Sequence, residues 1–172
     1  LRLNWPHLNI VPLRGNLDTR LKKLDNDEMQ GIILAASGLK RLNMSSRIKQ
    51  IISPTTILPA TGQGALGIEI LSSNYDVKKL IEPMIDVTTS KEVSIERSVS
   101  RKLGASCQLP LAVFCEYQKE TENFRLRARL AMPDGSCYCS VDMYGSNEDN
   151  LGCEAAESLI SQGAKTVIDA LN

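Results

Sequence analysis

The stretch Gly104-Ala105-Ser106-Cys107-Gln108-Leu109-Pro110 separates a long helical pattern from a run of predicted strands. Gly104 favours the end of a helix, because glycine adopts a positive φ without a Cβ penalty. Pro110 then prevents the helix from continuing. From local sequence alone, a cysteine tucked under a turn is the favoured interpretation of the loop between them, because free cysteine is usually buried. The alternative is an accessible thiol that acts as a nucleophile or as an attachment point.

The residues on either side of this loop predict a small α+β domain. Asp86 suits the N-cap of the long helix, with Thr89 placed to close the cap. Residues 111–117 form the first predicted strand. In residues 124–130 apolar residues alternate with arginines, which indicates a second strand with one buried and one solvated face. A third strand and two helices, 147–161 and a last one ending at 171, complete the order αβββα. The buried face of the long helix is predicted to carry Val87, Ile95, Val99 and Leu103. The solvated face of the second strand is predicted to carry Arg125, Arg127 and Arg129.

The five cysteines are an odd number without the spacing of a disulfide framework, which favours a reducing cytosol. Cys115, Cys137, Cys139 and Cys153 lie in strand or helix patterns, so we predict that they belong to the core. Cys137-x-Cys139 has the spacing of half a metal site. Because no second pair of ligands lies near, we interpret it as core as well.

The first half of the chain shows a strand–helix–strand pattern. Residues 8–13 and 31–36 are short apolar runs of the kind found in covered parallel strands, and residues 65–71 predict a further strand. Between the first two, Asn16 suits an N-cap for a helix whose leucines recur on one face. The chain opens at Leu1 without a methionine, and its first element, a helix tail over 1–5, ends at Pro6. We interpret it as a piece of a longer protein.

Two groups of residues in this half are candidates for ligand binding. Arg14, Arg20 and Arg41 fall at or near the carboxyl ends of the predicted strands, where open α/β sheets bind ligands. Guanidinium groups there suit a ligand with several carboxylates. An equally good interpretation is that the three arginines are solvated surface residues. Gln63 and Gly64 lie in a glycine-rich turn that permits close backbone approach to a ligand.

Charge and hydropathy exclude some classes of function. The 20 basic and 20 acidic residues cancel, so bulk charge gives no reason to expect a nucleic-acid partner or a membrane surface. The sequence also contains no apolar run approaching the roughly 18 residues of a membrane span.

Several motifs together resemble the porphobilinogen deaminase family. They run in order along nearly the whole chain: Leu13-Arg14-Gly15-Asn16, Thr19-Arg20-Leu21, Ile33-Leu34-Ala35-Ala36-Ser37-Gly38-Leu39-Lys40-Arg41-Leu42, Gly62-Gln63-Gly64-Ala65-Leu66-Gly67-Ile68-Glu69, Glu96-Arg97, Cys107-Gln108-Leu109-Pro110, Pro133-Asp134-Gly135 and Gly163-Ala164-Lys165. One departure is Ala105-Ser106, where the family usually has two glycines before the cysteine.

The resemblance implies a fold in two parts. Residues 1–71 would be a truncated second α/β domain, built like a periplasmic binding protein, plus the strand that returns to an absent first domain. Residues 72–172 would be the C-terminal α+β domain that carries the cofactor cysteine. The N-terminal half, with the catalytic aspartate, would be missing, so no residue of this chain is assigned that role and the isolated fragment is expected to be inactive.

The resemblance also implies a chemistry. Members of the family are transferases that condense four porphobilinogen molecules, with release of ammonia, into hydroxymethylbilane, in heme biosynthesis. Their dipyrromethane cofactor would be joined by a thioether to Cys107, with Arg14, Arg20, Arg41, Gln63 and Gly64 as binding residues and no metal. The full-length enzyme would be a cytoplasmic monomer with no nucleic-acid or membrane partner. A non-catalytic ligand-binding module of the periplasmic-binding-protein type and a structural fragment are the alternatives.

Overall fold

The computed structural model describes residues 1–2, 4–105 and 109–171. The chain divides into two compact units, Leu1–Ser53 and Pro54–Asn172. The first unit contains helices α1 (Leu17–Asp25) and α2 (Ala36–Arg41) and a 3₁₀ turn, Ser45–Arg47. The Asn16 side chain accepts a hydrogen bond from the Thr19 backbone N–H at 2.8 Å, so the predicted N-cap of α1 is confirmed.

The strands predicted in the first half of the chain do not form within the described residues. Residues 8–13, 31–35 and 65–71 are irregular, and α2 already begins at Ala36. The described residues of the predicted helix tail, 1–2 and 4–5, are not helical. An apolar run becomes a strand only where neighbouring strands accept its hydrogen bonds, and these segments have none there. Their apolar side chains are accordingly open to solvent, as at Leu66, which is 78% exposed. The binding-protein-like layering of this half is therefore not confirmed.

The second unit has the predicted αβββα order. Its antiparallel sheet has the order β1 (Leu111–Gln118), β2 (Asn123–Leu130) and β3 (Cys139–Gly145). Helix α4 (Val87–Lys102) precedes the sheet, and α5 (Glu148–Ser161) and α6 (Ala164–Leu171) follow it. Before them come α3 (Tyr75–Ile81) and a 3₁₀ turn, Glu82–Met84, which contains Pro83.

One hydrophobic core joins α4, α5 and α6 to a single face of the sheet. Ile95 and Val99 of α4 are completely buried, as the sequence predicts, and Leu126 and Ala128 of β2 pack in the same cluster. Val87 was expected on this face but is 64% exposed, because it occupies the first position of α4, beyond the helix segment that reaches the core. The Asp86 side chain accepts from the Thr89 N–H at 2.7 Å, which confirms the cap that starts this helix.

The opposite face of the sheet is not the solvated face that the alternation predicts. Arg127 is only 6% exposed and forms an ion pair with Glu116 on β1 while its guanidinium lies over the Phe114 ring. Arg125 forms a bidentate ion pair with Asp142 on β3: its Nε lies 2.9 Å from Oδ1 and its Nη2 lies 2.7 Å from Oδ2. Acidic residues on the two neighbouring strands therefore pair with two of the three arginines that were predicted to be solvated, Arg125 and Arg127.

Two cysteine predictions have different outcomes at the start of β3. Cys139 is buried and belongs to the core, as predicted. Cys137 is exposed and has a φ of +51°, so its prediction as a core residue is wrong. The residue lies before β3 begins, in the connection from β2, and the two-residue alternation that places Cys139 inside does not extend to it.

Candidate functional site

Helix α4 ends with the geometry that the Gly104 prediction requires. Gly104 has a φ of +61°, and its N–H donates to the Arg101 carbonyl at 3.1 Å. The Ala105 N–H donates to the Ser100 carbonyl at 2.9 Å. This pair of bonds is a Schellman motif, which ends the helix and fixes the direction in which the chain leaves it.

Cys107 lies outside the described residues, as do Ser106 and Gln108. The residues on either side of this gap are both placed in the second unit. Ala105 packs against the hydrophobic core and Leu109 is buried within it. The two ends of the cysteine loop are therefore anchored, and the role of Cys107 stays a prediction.

The glycine turn lies beside α4 in the same unit. Its glycines have the left-handed conformation that the sequence predicts, with φ of +70° at Gly62 and +94° at Gly64. Ala60 forms an isolated antiparallel bridge with Ala112, and the Thr61 hydroxyl lies 3.1 Å from that of Ser100 on α4. Gln63 and Gly64 are both exposed, so the turn presents its two predicted binding residues to solvent.

Glu96 is the residue of this region whose role sequence reasoning missed. It lies on α4, is 5% exposed, and accepts the Gly62 N–H at 2.6 Å and the Cys115 N–H at 2.9 Å. Burial raises the pKa of its carboxyl, and the two backbone hydrogen bonds act in the opposite direction. The sequence signal was an acidic residue directly beside the predicted core position Ile95.

An open cleft of about 550 Å³ lies between the glycine turn and α4. Its walls include Gly62, Leu66 and Ala105, and Arg97 and Arg101 line it from the helix. Both arginines are exposed, and neither has an ion-pair partner within the described residues. Two like charges one helical turn apart repel each other, so an anion between them is favoured. The cleft is suited to a ligand that carries carboxylates, and it reaches the last described residue before Cys107.

The three predicted arginines all belong to the first unit. Arg14 lies in the turn before α1, and Arg41 is the last residue of α2; both are exposed. The Nε of Arg20, on α1, donates to the Gly15 carbonyl at 2.8 Å and so helps to close that turn. In the described part of the chain no hydrogen bond or ion pair joins the three, and their binding of one ligand stays a prediction.

The other cysteines differ in their capacity to react. Burial, together with the nearby glutamates, raises the pKa of the Cys115 thiol to about 12, so it is protonated and a poor nucleophile near neutral pH. Burial also raises the pKa of Cys139. Within the described residues no group of three or more His, Cys, Asp or Glu side chains is arranged to hold a metal ion.

The cleft lined by Arg97 and Arg101 and the adjoining glycine turn form a surface suited to an anionic ligand, the arrangement expected of a domain that binds a carboxylate-bearing group. Two family models match the chain: "Porphobilinogen deaminase, dipyromethane cofactor binding domain" over residues 1–79 and "Porphobilinogen deaminase, C-terminal domain" over residues 90–161. The chain belongs to the porphobilinogen deaminase family, which confirms the resemblance. The cofactor that the first description names is the one that the resemblance predicts.

Curated relatives agree with this assignment. The chain is 44% identical over 173 residues to the porphobilinogen deaminase of Bordetella parapertussis, 45% over 176 residues to that of Ralstonia nicotianae and 46% over 173 residues to that of Thiobacillus denitrificans. Each alignment covers 99% of this chain but only 54%, 52% and 56% of the relative. The chain thus spans about half the length of the relatives it matches. Among its described residues, no helix combines the length and apolar character needed to cross a membrane.

Proposed function

We propose that this chain provides the cofactor-attachment domain and part of the substrate-binding surface of a hydroxymethylbilane-forming transferase. The enzyme condenses four porphobilinogen molecules and releases ammonia with each condensation. The observation that carries the proposal is the cleft lined by Arg97 and Arg101, which form no ion pair within the described part of the chain. Ala105, two residues before Cys107, belongs to the wall of this cleft. A carboxylate-bearing dipyrromethane joined to Cys107 fits this chemistry, because its acid groups would meet cations close to the attachment point.

The dipyrromethane supplies the primer for condensation when it is bound, and the side chains of this chain hold charge around it. Each pyrrole unit carries an acetate and a propionate, so negative charge accumulates as the product grows. Arginine stays protonated at any working pH and matches a carboxylate with two parallel N–H donors. We assign Arg14, Arg20 and Arg41 to these carboxylates, and Gln63 and Gly64 to contacts with the cofactor. None of the residues of this chain is assigned as the catalytic acid.

The domain assignment, 1–71 and 72–172, with the first part similar to a periplasmic binding protein, belongs to the same proposal. So do a monomeric state and a cytosolic location. The alternative function, a non-catalytic ligand-binding module, is not favoured, because the relatives that align over 99% of this chain are named for the enzyme.

Kinetics of arginine variants test the binding part of the proposal in the holoenzyme, that is, the enzyme with its cofactor attached. Replacing Arg14, Arg20 or Arg41 singly by leucine should lower kcat/KM for porphobilinogen by roughly 10- to 150-fold, which corresponds to about 1.5–3 kcal/mol for a lost charge-assisted hydrogen bond. Lysine at the same positions should restore only part of the activity, because it lacks the two-toothed geometry.

Lys40→Leu is the matched control, since Lys40 is an exposed cation beside Arg41 on the same helix. It should change kcat/KM less than about twofold, as a surface substitution does. If all three arginine-to-leucine variants behaved like this control, the arginines would be ordinary surface residues and the assignment would be wrong.

A further inference from the structure

The Glu96 carboxylate joins two segments that are far apart in the sequence. One oxygen accepts the Gly62 N–H of the glycine turn at 2.6 Å, and the other accepts the Cys115 N–H of β1 at 2.9 Å. Burying a carboxylate is costly, and this one is 5% exposed. Each oxygen has its own backbone donor, so the arrangement fixes direction as well as distance. An apolar side chain could fill the same space but could not hold either backbone segment.

Ser100, one helical turn after Glu96, extends this connection to the cysteine loop. Its hydroxyl lies 3.1 Å from that of Thr61 in the glycine turn. Its carbonyl accepts the Ala105 N–H at 2.9 Å in the motif that ends α4. Consecutive turns of one rigid helix therefore hold the glycine turn and start the loop that contains Cys107.

We propose that Glu96 is a positioning residue, which holds the glycine turn of residues 61–64 against α4 so that Gln63 and Gly64 face a cofactor attached to Cys107. The link between the turn and the helix stands on the contacts above. The role that we assign to this link, positioning Gln63 and Gly64 toward the cofactor, rests on the proposed function. Glu96 itself does not touch the reacting atoms.

Glu96→Leu in the holoenzyme tests the proposal, because leucine fills a similar space but accepts no hydrogen bond. The Gly62 and Cys115 N–H groups then both lose their partner. Glu92→Leu is the matched control: Glu92 lies one turn earlier on α4 and accepts the Tyr117 N–H of β1 at 2.8 Å. Both variants lose a carboxylate that holds β1, and only Glu96→Leu releases the glycine turn.

Two readouts separate positioning from general stability. Hydrogen exchange of the Gly62 amide should become about tenfold faster in Glu96→Leu and stay unchanged in Glu92→Leu, as expected for the loss of one buried hydrogen bond at that amide. The value of kcat should fall about tenfold in Glu96→Leu, with KM changed less than twofold, because the turn holds the cofactor rather than the incoming substrate. Glu92→Leu should keep both kinetic constants within about twofold of the wild-type values.

Unchanged exchange at Gly62 would show that the carboxylate does not hold the turn. Faster exchange with normal kcat would show that it holds the turn for stability alone, and either result overturns the proposal. If Glu96→Leu does not fold, Thr61→Val loosens the same turn by removing its hydroxyl contact with Ser100, and the same pair of outcomes applies. A wild-type holoenzyme without porphobilinogen turnover would refute the proposed function instead, while the exchange data would still test the link.

Discussion

Gly152→Ala should destabilise the second unit, because α5 packs against α4 at this glycine without room for a Cβ. A Cβ at position 152 would lie 1.6 Å from the Ser98 Oγ and 2.6 Å from the Ile95 carbonyl oxygen. The serine can rotate away, but its hydroxyl then gives up the 2.7 Å hydrogen bond that it donates to the same carbonyl. The carbonyl belongs to the helix backbone and cannot move alone, so the two helices must separate.

The magnitude follows from three contributions. Forcing an extra carbon into a packed interface costs about 1–3 kcal/mol. Loss of the serine hydrogen bond adds about 1 kcal/mol. Alanine recovers about 1 kcal/mol through its higher helix propensity. We therefore expect the free energy of unfolding to fall by about 1–3 kcal/mol, measured by urea denaturation followed by circular dichroism.

Gly145→Ala is the control for this prediction. A Cβ there would meet the Leu151 Cδ1 atom at 3.0 Å, a contact that a shift of a few tenths of an ångström relieves. Leu151 is buried in the core, but no backbone atom has to move, so the cost should stay near or below about 1 kcal/mol. If Gly152→Ala cost no more than Gly145→Ala, the close packing of α4 on α5 would not be what holds the helix that carries Glu96.

Two further predictions concern the charged face of the sheet. Arg127→Leu should lower the melting temperature by an amount equivalent to about 1–2 kcal/mol, because a partly exposed glutamate loses its buried partner, whereas Arg129→Leu should be nearly neutral. Asp142→Asn should cost about 0.5 kcal/mol at pH 7 in the free energy of unfolding. The hydrogen bond from Arg125 lowers the pKa of the Asp142 carboxyl below its usual 3.8, so the contribution is present above that value. It should be lost as the pH falls through the lowered pKa, and a difference between variant and wild type that did not shrink as the pH fell below 3.8 would contradict this assignment.

Features that depend on a few neighbouring residues were predictable from the sequence. The caps at Asn16 and Asp86 are bonds between residues three apart, and Gly104 ends its helix with bonds to the turn just before it. The strands of the αβββα unit were predictable for the same reason, since apolar and polar residues alternate along consecutive positions. Each strand pairs with the next one along the chain, across residues 119–122 and 131–138.

Features that depend on distant partners were not predictable. Gly62 and Glu96 are 34 residues apart, and nothing in either local pattern indicates that one bonds the other. Arg127 looked solvated because the sequence does not show that Glu116 lies beside it on the next strand. The predicted strands of the first half failed in the same way, because an apolar run such as 31–36 indicates burial but does not supply the neighbours that a strand requires.

Mass spectrometry of the purified holoenzyme, intact and after digestion, tests the central claim most directly. We predict that the intact protein is heavier than its polypeptide by one dipyrromethane, and that digestion places the whole addition on the peptide that contains Cys107. The buried thiol of Cys115 and the exposed thiol of Cys137 should be unmodified. An active enzyme with the addition on another cysteine, or with no addition at all, would contradict the account.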